Sequence, residues 1–237
     1  MSKTLSYQPV SEAISDALAQ MPHHDLLLHT SYGATEQMPV EVFFRSYEEM
    51  PLLEQYALEM CQGKILDIGA GAGAHCLVLQ EMNQQVSALE ISPLLTKVMQ
   101  KRGVKNTFTA DIFTFTQLPF DTLLLLMNGI GLAGQLSKLQ QLLQHLKSLL
   151  SPQGQILLDS SDIRYLYGDT DMPENSYFGE IAYQYEYRGK KGDWFSWLYV
   201  DIDTLSSIAS QCGYHCQLIH ENEEEQYLAR LTLLETE

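Results

Sequence analysis

Basic residues are scarce in this chain. Its 237 residues include 14 lysines and arginines against 30 aspartates and glutamates, a net charge of -16. A nucleic-acid partner needs a basic footprint to neutralise phosphates. The only local basic clusters, residues 97–105 and 188–191, are short and separated, so no nucleic-acid partner is expected. Long apolar runs are missing too. Residues 123–127 fall far short of the about 20 needed to span a bilayer, and the first twenty residues hold no signal-peptide core. No membrane partner and a cytoplasmic location are therefore expected. The four cysteines, Cys61, Cys76, Cys212 and Cys216, show neither zinc spacing nor disulfide density, and Cys212 and Cys216 are expected to be core thiols. His24 and His29, five apart, suit no chelating pair, and no metal is expected.

What is present is a core-forming composition, 45% hydrophobic and 10% aromatic, enough for one α/β domain with additions. Its organising stretch is residues 64–73, KILDIGAGAG. Ile65, Leu66 and Ile68 favour a buried strand, which breaks into a turn at Gly69, Gly71 and Gly73 and continues as a helix from His75. Such a strand–turn–helix aims free N–H groups and the positive end of a helix dipole at a ligand. The glycines alone would also fit a dinucleotide fingerprint. Asp67, just ahead of them, would repel a pyrophosphate and hold an amino group. Glu90 ends the next strand (Val86, Ala88, Leu89), placed to accept both ribose hydroxyls. Asp111 and Ile112 end the third, where a carboxylate reaches an adenine amino group and an isoleucine covers its ring. Three carboxylates at successive strand ends suit a cationic adenosine ligand without phosphates, such as S-adenosylmethionine.

On these residues the chain resembles the class I S-adenosylmethionine-dependent methyltransferases, well over residues 61–160 and by layout over 201–237. The resemblance implies that Asp67, Gly69, Gly71 and Gly73, with Ala70, surround the methionine part of the cofactor. It places Glu90 and Ile91 at the ribose and Asp111 with Ile112 at adenine. It also implies a Rossmann-like, mostly parallel seven-stranded sheet in the order 3-2-1-4-5-7-6, with helices on both faces.

The remaining chain is read as additions to a single domain spanning 1–237. Residues 1–60 are expected to form a helical cap or lid, with helices over 11–21 and 52–61, contributing Tyr7, His23, His24, His29, Tyr32, Phe43, Phe44 and Arg45. Arg45 is a candidate for the methionine carboxylate through its planar fork, with a surface arginine packed on Phe43 or Phe44 as the alternative. Residues 61–160 form the cofactor half, including a leucine-rich helix over 136–150. In 161–200, strand-like alternation over 177–188 and 194–200, joined by a turn at 189–192, predicts an inserted hairpin over the crevice. Its Tyr177, Phe178, Tyr183, Tyr185, Trp194, Phe195 and Trp197 offer an aromatic wall for a flat or cationic acceptor. Tyr32, Tyr177, Trp194 and Trp197 are the substrate candidates. Residues 201–237 supply a last helix and an antiparallel strand pair.

Asn128 follows the fourth strand, where the methyl group should meet its acceptor. It is the candidate positioning group and is also placed near the cofactor. The Asn/Asp-Pro-Pro-aromatic motif of many nitrogen methyltransferases is absent there, which disfavours DNA or protein glutamine as acceptor. His29 and Tyr32 are the only bases that the reading offers. The expected activity is methyl transfer by in-line displacement to a small-molecule acceptor. The alternatives are an NAD-dependent oxidoreductase, which would lack an evident Tyr-x-x-x-Lys pair, and a non-catalytic S-adenosylmethionine-binding scaffold.

Overall fold

The computed structural model describes residues 5–22, 24–117, 119–168 and 172–234. His23 of the expected cap and Leu118 ahead of the fourth strand lie outside the described residues.

Near-continuous apolar runs make strands that are buried on both faces. They are β3 (Lys64–Ile68), β4 (Gln85–Glu90), β6 (Phe120–Leu125) and β7 (Leu150–Ser161), while the short β5 (Thr107–Thr109) is a partly exposed edge strand. β3 pairs in parallel with β4 and β6, β4 with β5, and β6 with β7. β11 (Tyr214–Glu221) and β12 (Gln226–Leu233) complete the sheet antiparallel, β12 lying beside β7. The spatial order is β11-β12-β7-β6-β3-β4-β5. With these strands renumbered along the chain, it is the expected 3-2-1-4-5-7-6 read from the other edge.

Helices α3 (Ala74–Glu81), α4 (Pro93–Arg102), α5 (Leu136–Leu149) and α6 (Ile202–Gln211) connect the strands. Pro93 sits in the first turn of α4, and the Ser92 hydroxyl accepts from the Leu95 N–H as its cap. Leu139, Leu142, Leu143, Leu146 and Leu149 of α5 are fully buried, each worth roughly 1.5–3 kcal/mol relative to exposure. Leu150, expected as the last residue of that helix, instead opens β7.

The first sixty residues differ from a helical cap. α1 (Gln8–Leu18) and α2 (Leu52–Glu59) are helices, α1 starting earlier than expected because Pro9 suits a first turn. Between them the chain forms strands β1 (Leu26–Thr30) and β2 (Glu36–Met38). These join the insertion's β8 (Glu180–Tyr187), β9 (Lys190–Lys191) and β10 (Phe195–Leu198) in a second, antiparallel sheet of order β10-β8-β1-β2, with β9 on β8. The tight turn centres on Arg188 and Gly189, both at positive φ, the backbone that a two-residue hairpin requires. α1 packs its Val10, Ala13 and Ile14 between α4 and this second sheet.

The two sheets meet at β10. The chain after β6 turns sharply through left-handed Met127 and Asn128 into a short turn over Gly129–Ala133. Trp197 of β10 lies directly on Gly131, where a Cβ would stand 2.1 Å from the indole nitrogen. Gly131→Ala is therefore expected to lose about 1–3 kcal/mol of stability, the usual range for overpacking. In urea denaturation the loss should shrink in a Trp197→Ala background. An equal loss in both backgrounds would show that the indole is not the obstacle.

Candidate active site

The turn after β3 holds Gly69, Gly71 and Gly73 at φ of 75°, 56° and 80°, a region that glycine enters without strain. Gly73 caps α3 and faces inward, since a Cβ there would lie 2.7 Å from Val104. It serves close helix packing and does not line the crevice. Around the turn stand the strand-end carboxylates. Asp67 is 2% exposed and accepts the Cys76 thiol at 3.3 Å. Glu90 accepts the Gly71 N–H at 3.1 Å through Oε2 and the Ser92 N–H at 2.9 Å through Oε1. Asp111 accepts the Phe113 N–H at 3.1 Å, opening the turn that carries Ile112. Burial raises the carboxyl pKa of both Asp67 and Glu90, Glu90 against the opposing effect of its backbone N–H bonds.

A second polar cluster backs this floor. Glu54 of α2 accepts Arg45 Nη2 at 2.7 and 2.9 Å and pairs with His75 Nε2 at 2.9 Å. Burial alone would raise the Glu54 carboxyl, but His75 and Arg45 outweigh it and hold it below its ordinary value. Burial would likewise lower His75, yet the bond to Glu54 and the charges of Asp67 and Glu54 raise it. Neither Glu54 nor His75 belongs to a motif. A signal was nevertheless present: Glu54 adjoins Leu53 on the face of α2 that also buries Ala57.

Above the floor lies a cavity of about 640 Å³, within the range of small-molecule sites. From below it is lined by Asp67, Gly69, Ala70, Gly71, Glu90, Ile91, Asp111 and Ile112, with Arg45 and His75 at one end. The second sheet is its roof. Strand alternation turns Leu28, Tyr183, Tyr185, Phe195 and Trp197 to the cavity, and Tyr199 follows. Tyr7 of the N-terminal segment stacks on Phe195 with centroids 5.0 Å apart and reaches the same space.

Other expected site residues lie elsewhere. Asn128 does not line the cavity: its Nδ2 donates to the Leu198 carbonyl at 3.1 Å, and its Oδ1 accepts from Ser160 at 2.8 Å. Its N–H is taken by Asp159, whose carboxyl burial raises to about 7. Both ends of the side-chain amide thus tie β10 to β7, away from the cavity. Tyr32 is 36% exposed beside Tyr183 and hydrogen-bonded to Glu36. Tyr177 precedes β8 and donates to Asp201. Trp194 precedes β10 and is 52% exposed. His29 lies on the outer face of β1, its ring nitrogens bonded to Glu186 and Thr35 at 2.8 and 2.9 Å. Arg45 reaches the cavity, but its Nε donates to the Val42 carbonyl at 3.0 Å and its Nη2 to Glu54. Among the described residues no His, Cys, Asp and Glu group could hold a metal ion, and no helix is long and apolar enough to cross a membrane.

Residues 66–158 match a family model described as a methyltransferase domain. A solved structure of an S-adenosylmethionine-dependent methyltransferase from Bacteroides fragilis, in complex with S-adenosylhomocysteine, is 41% identical. The alignment covers 98% of this chain and 97% of that one, with a TM-score of 0.89. The CcbJ methyltransferase of Streptomyces caelestis shares the fold at 10% identity and TM-score 0.65, over 96% of this chain and 98% of that one. So does the sugar N-methyltransferase KedS8 of a Streptoalloteichus species, at 15% identity and 0.58, over 86% and 96%. No curated protein matches the chain.

The Glu54–His75 pair gives stability a pH window. Lowered Glu54 contributes stability that is present above its ordinary 4.5 and lost as pH falls through the lower folded value. Raised His75 contributes stability that is complete below its ordinary 6.5 and lost as pH rises through the higher folded value. The unfolding free-energy difference between the parent and His75→Gln should be largest between pH 4.5 and 6.5 and shrink on both sides. Urea denaturation across acid to mildly alkaline pH checks this. A difference independent of pH would show that His75 carries no charge in the folded protein.

Proposed function

Because the chain belongs to the class I S-adenosylmethionine-dependent methyltransferases and uses S-adenosylmethionine as cofactor, we propose that it methylates a small molecule held between the glycine turn and the aromatic roof. The observation that carries this reading is the single cavity joining the strand-end carboxylates to the roof rings. The floor fits the cofactor. Gly69 and Gly71 present backbone without side chains, and the Asp67 carboxylate is desolvated where a positive amino group would offset the cost of its burial. Asp67 would hold that amino group beside Gly69, Ala70 and Gly71. Glu90 and Ile91 would face the ribose, and Asp111 with Ile112 the adenine. Arg45, anchored by Glu54, would reach the methionine carboxylate with the donor hydrogens that Glu54 and Val42 leave over.

When bound, the cofactor supplies a sulfonium methyl group open to displacement from behind. The chain's own part is orientation and exclusion of water, which the roof of β1, β8 and β10 provides. Residues 1–60 and 161–200 each contribute strands to that roof, so we read them as parts of one catalytic domain over 1–237. The free cysteines, three of them buried, favour a cytoplasmic setting. Neither an oxidoreductase nor a scaffold role draws support from the relatives.

Calorimetric titration with S-adenosylmethionine, S-adenosylhomocysteine and NAD tests this reading. The two adenosyl ligands should bind. Asp67→Asn and Glu90→Gln should each weaken that binding at least tenfold, since hydrogen bonds to charged groups are worth about 1.5–3 kcal/mol. Binding of NAD alone would overturn the methyltransferase reading. Unchanged affinity in both variants would place the cofactor outside this floor.

A further inference from the structure

Resting on the methyltransferase reading, we propose that the acceptor subsite beneath the roof takes an uncharged nitrogen base, a small amine or a ring nitrogen, and that its aromatic faces hold the positive charge which methylation leaves on that nitrogen.

The distribution of charge in the cavity is the first support. Every Asp, Glu, His, Lys and Arg of the lining belongs to the floor or the mouth: Arg45, Asp67, His75, Glu90 and Asp111 around the glycine turn, and the exposed Lys138 on α5. The roof presents Leu28, Tyr183, Tyr185, Phe195, Trp197 and Tyr199, none of them charged. Its rings form a connected wall. Phe195 stacks with Tyr185 at 5.4 Å and 27°, meets Trp197 edge-on at 6.1 Å and lies 6.2 Å from Tyr183. Aromatic faces carry negative quadrupole potential and attract cations, the more strongly once desolvated. A carboxylate or phosphate acceptor enclosed here would lose its hydration with no cation on the roof to replace it.

The second support is the lack of a base. A phenol, alcohol or thiol must surrender a proton to become a strong nucleophile. Burial raises the hydroxyl pKa values of Tyr7, Tyr183 and Tyr185 above the ordinary value, so these groups stay protonated and act as hydrogen-bond donors. Tyr183 and Tyr199 share a hydrogen bond at 3.2 Å on the roof. His75 is committed to Glu54, and His29 faces away. A nitrogen that enters the subsite uncharged already carries its lone pair and needs no base in the transfer step. It forms the bond to the methyl carbon as the carbon–sulfur bond breaks, and the electron pair of that bond stays on sulfur, which becomes a neutral thioether. One positive charge moves from sulfur to nitrogen within reach of the same rings. A ring nitrogen without hydrogen leaves as a cation, and an aliphatic amine, having given its proton to water before entering, leaves as the methylated ammonium ion.

The test is binding to the protein saturated with S-adenosylhomocysteine, measured calorimetrically with three probes of similar size: N-methylpyridinium, benzyl alcohol and benzoate. N-methylpyridinium should bind at least tenfold more tightly than either of the others. Tyr185→Leu should weaken it about tenfold, whereas Tyr185→Phe, which keeps the ring, should retain it, with circular dichroism establishing that both variants fold. Benzoate binding as tightly as the cation, or Tyr185→Phe losing as much as Tyr185→Leu, would overturn the proposal. Binding of S-adenosylhomocysteine without any preference for the cation would overturn it too and leave the methyltransferase reading standing. Failure of S-adenosylhomocysteine to bind would remove both.

Discussion

The structure depends on keeping carboxylates dry at the ends of adjacent strands. Asp67 and Glu90 are almost fully buried, and burial of negative charge is costly unless it is bonded or matched. The fold answers in different ways. Glu90 is bonded by the backbone of the glycine turn and of the following helix start. Asp67 accepts the Cys76 thiol, and the His75 ring nearby opposes the effect of its burial. Glu54, on the buried face of α2, is shared by Arg45 and His75. The floor thus holds negative potential in reserve at the point where a cationic ligand has to lie.

The roof answers the opposite requirement. It must close over a charged ligand without adding charge of its own, and it does so with rings. The pleat decides which rings take part: Tyr183, Tyr185, Phe195 and Trp197 share the inner face, while Gln184, Glu186 and His29 share the outer one. β10 is locked to the main sheet by Trp197 on Gly131 and by Asn128 on the Leu198 carbonyl. Roof and floor are held in register by the loop after β6, which serves as a joint.

The cofactor half was legible because its signals are local. Continuous apolar runs, glycines after Ile68, Ser92 with Pro93 and the heptad-like leucines of α5 each specify their element without help from distant chain. β1 was read as part of a helical cap because Leu26–Thr30 is a short apolar run whose β character comes from pairing with β8, and strand propensity is largely the imprint of such partners. The substrate candidates divide by the same logic. Trp197 lies within β10 and points inward, whereas Trp194 and Tyr177 fall just outside strands, so alternation could not orient them. Asn128 was placed by its position after a strand, but its left-handed backbone turns its amide toward β7 and β10. Glu54 drew no reading from the sequence, because its partners Arg45 and His75 come from separate segments.

The pairing of Leu26 with Tyr187 and of Thr30 with Tyr183 joins two segments that the whole parallel part of the main sheet separates along the chain. While the ribosome is still adding the intervening sheet, β1 and β2 can form no more than an isolated two-stranded ribbon, which is marginal in water. Their free edge stays open to other chains until β8 emerges. The order of strands in the roof therefore sets a schedule: the ligand crevice closes only after the strands that carry its floor have been made, and the growing chain carries an unprotected strand edge until β8 follows.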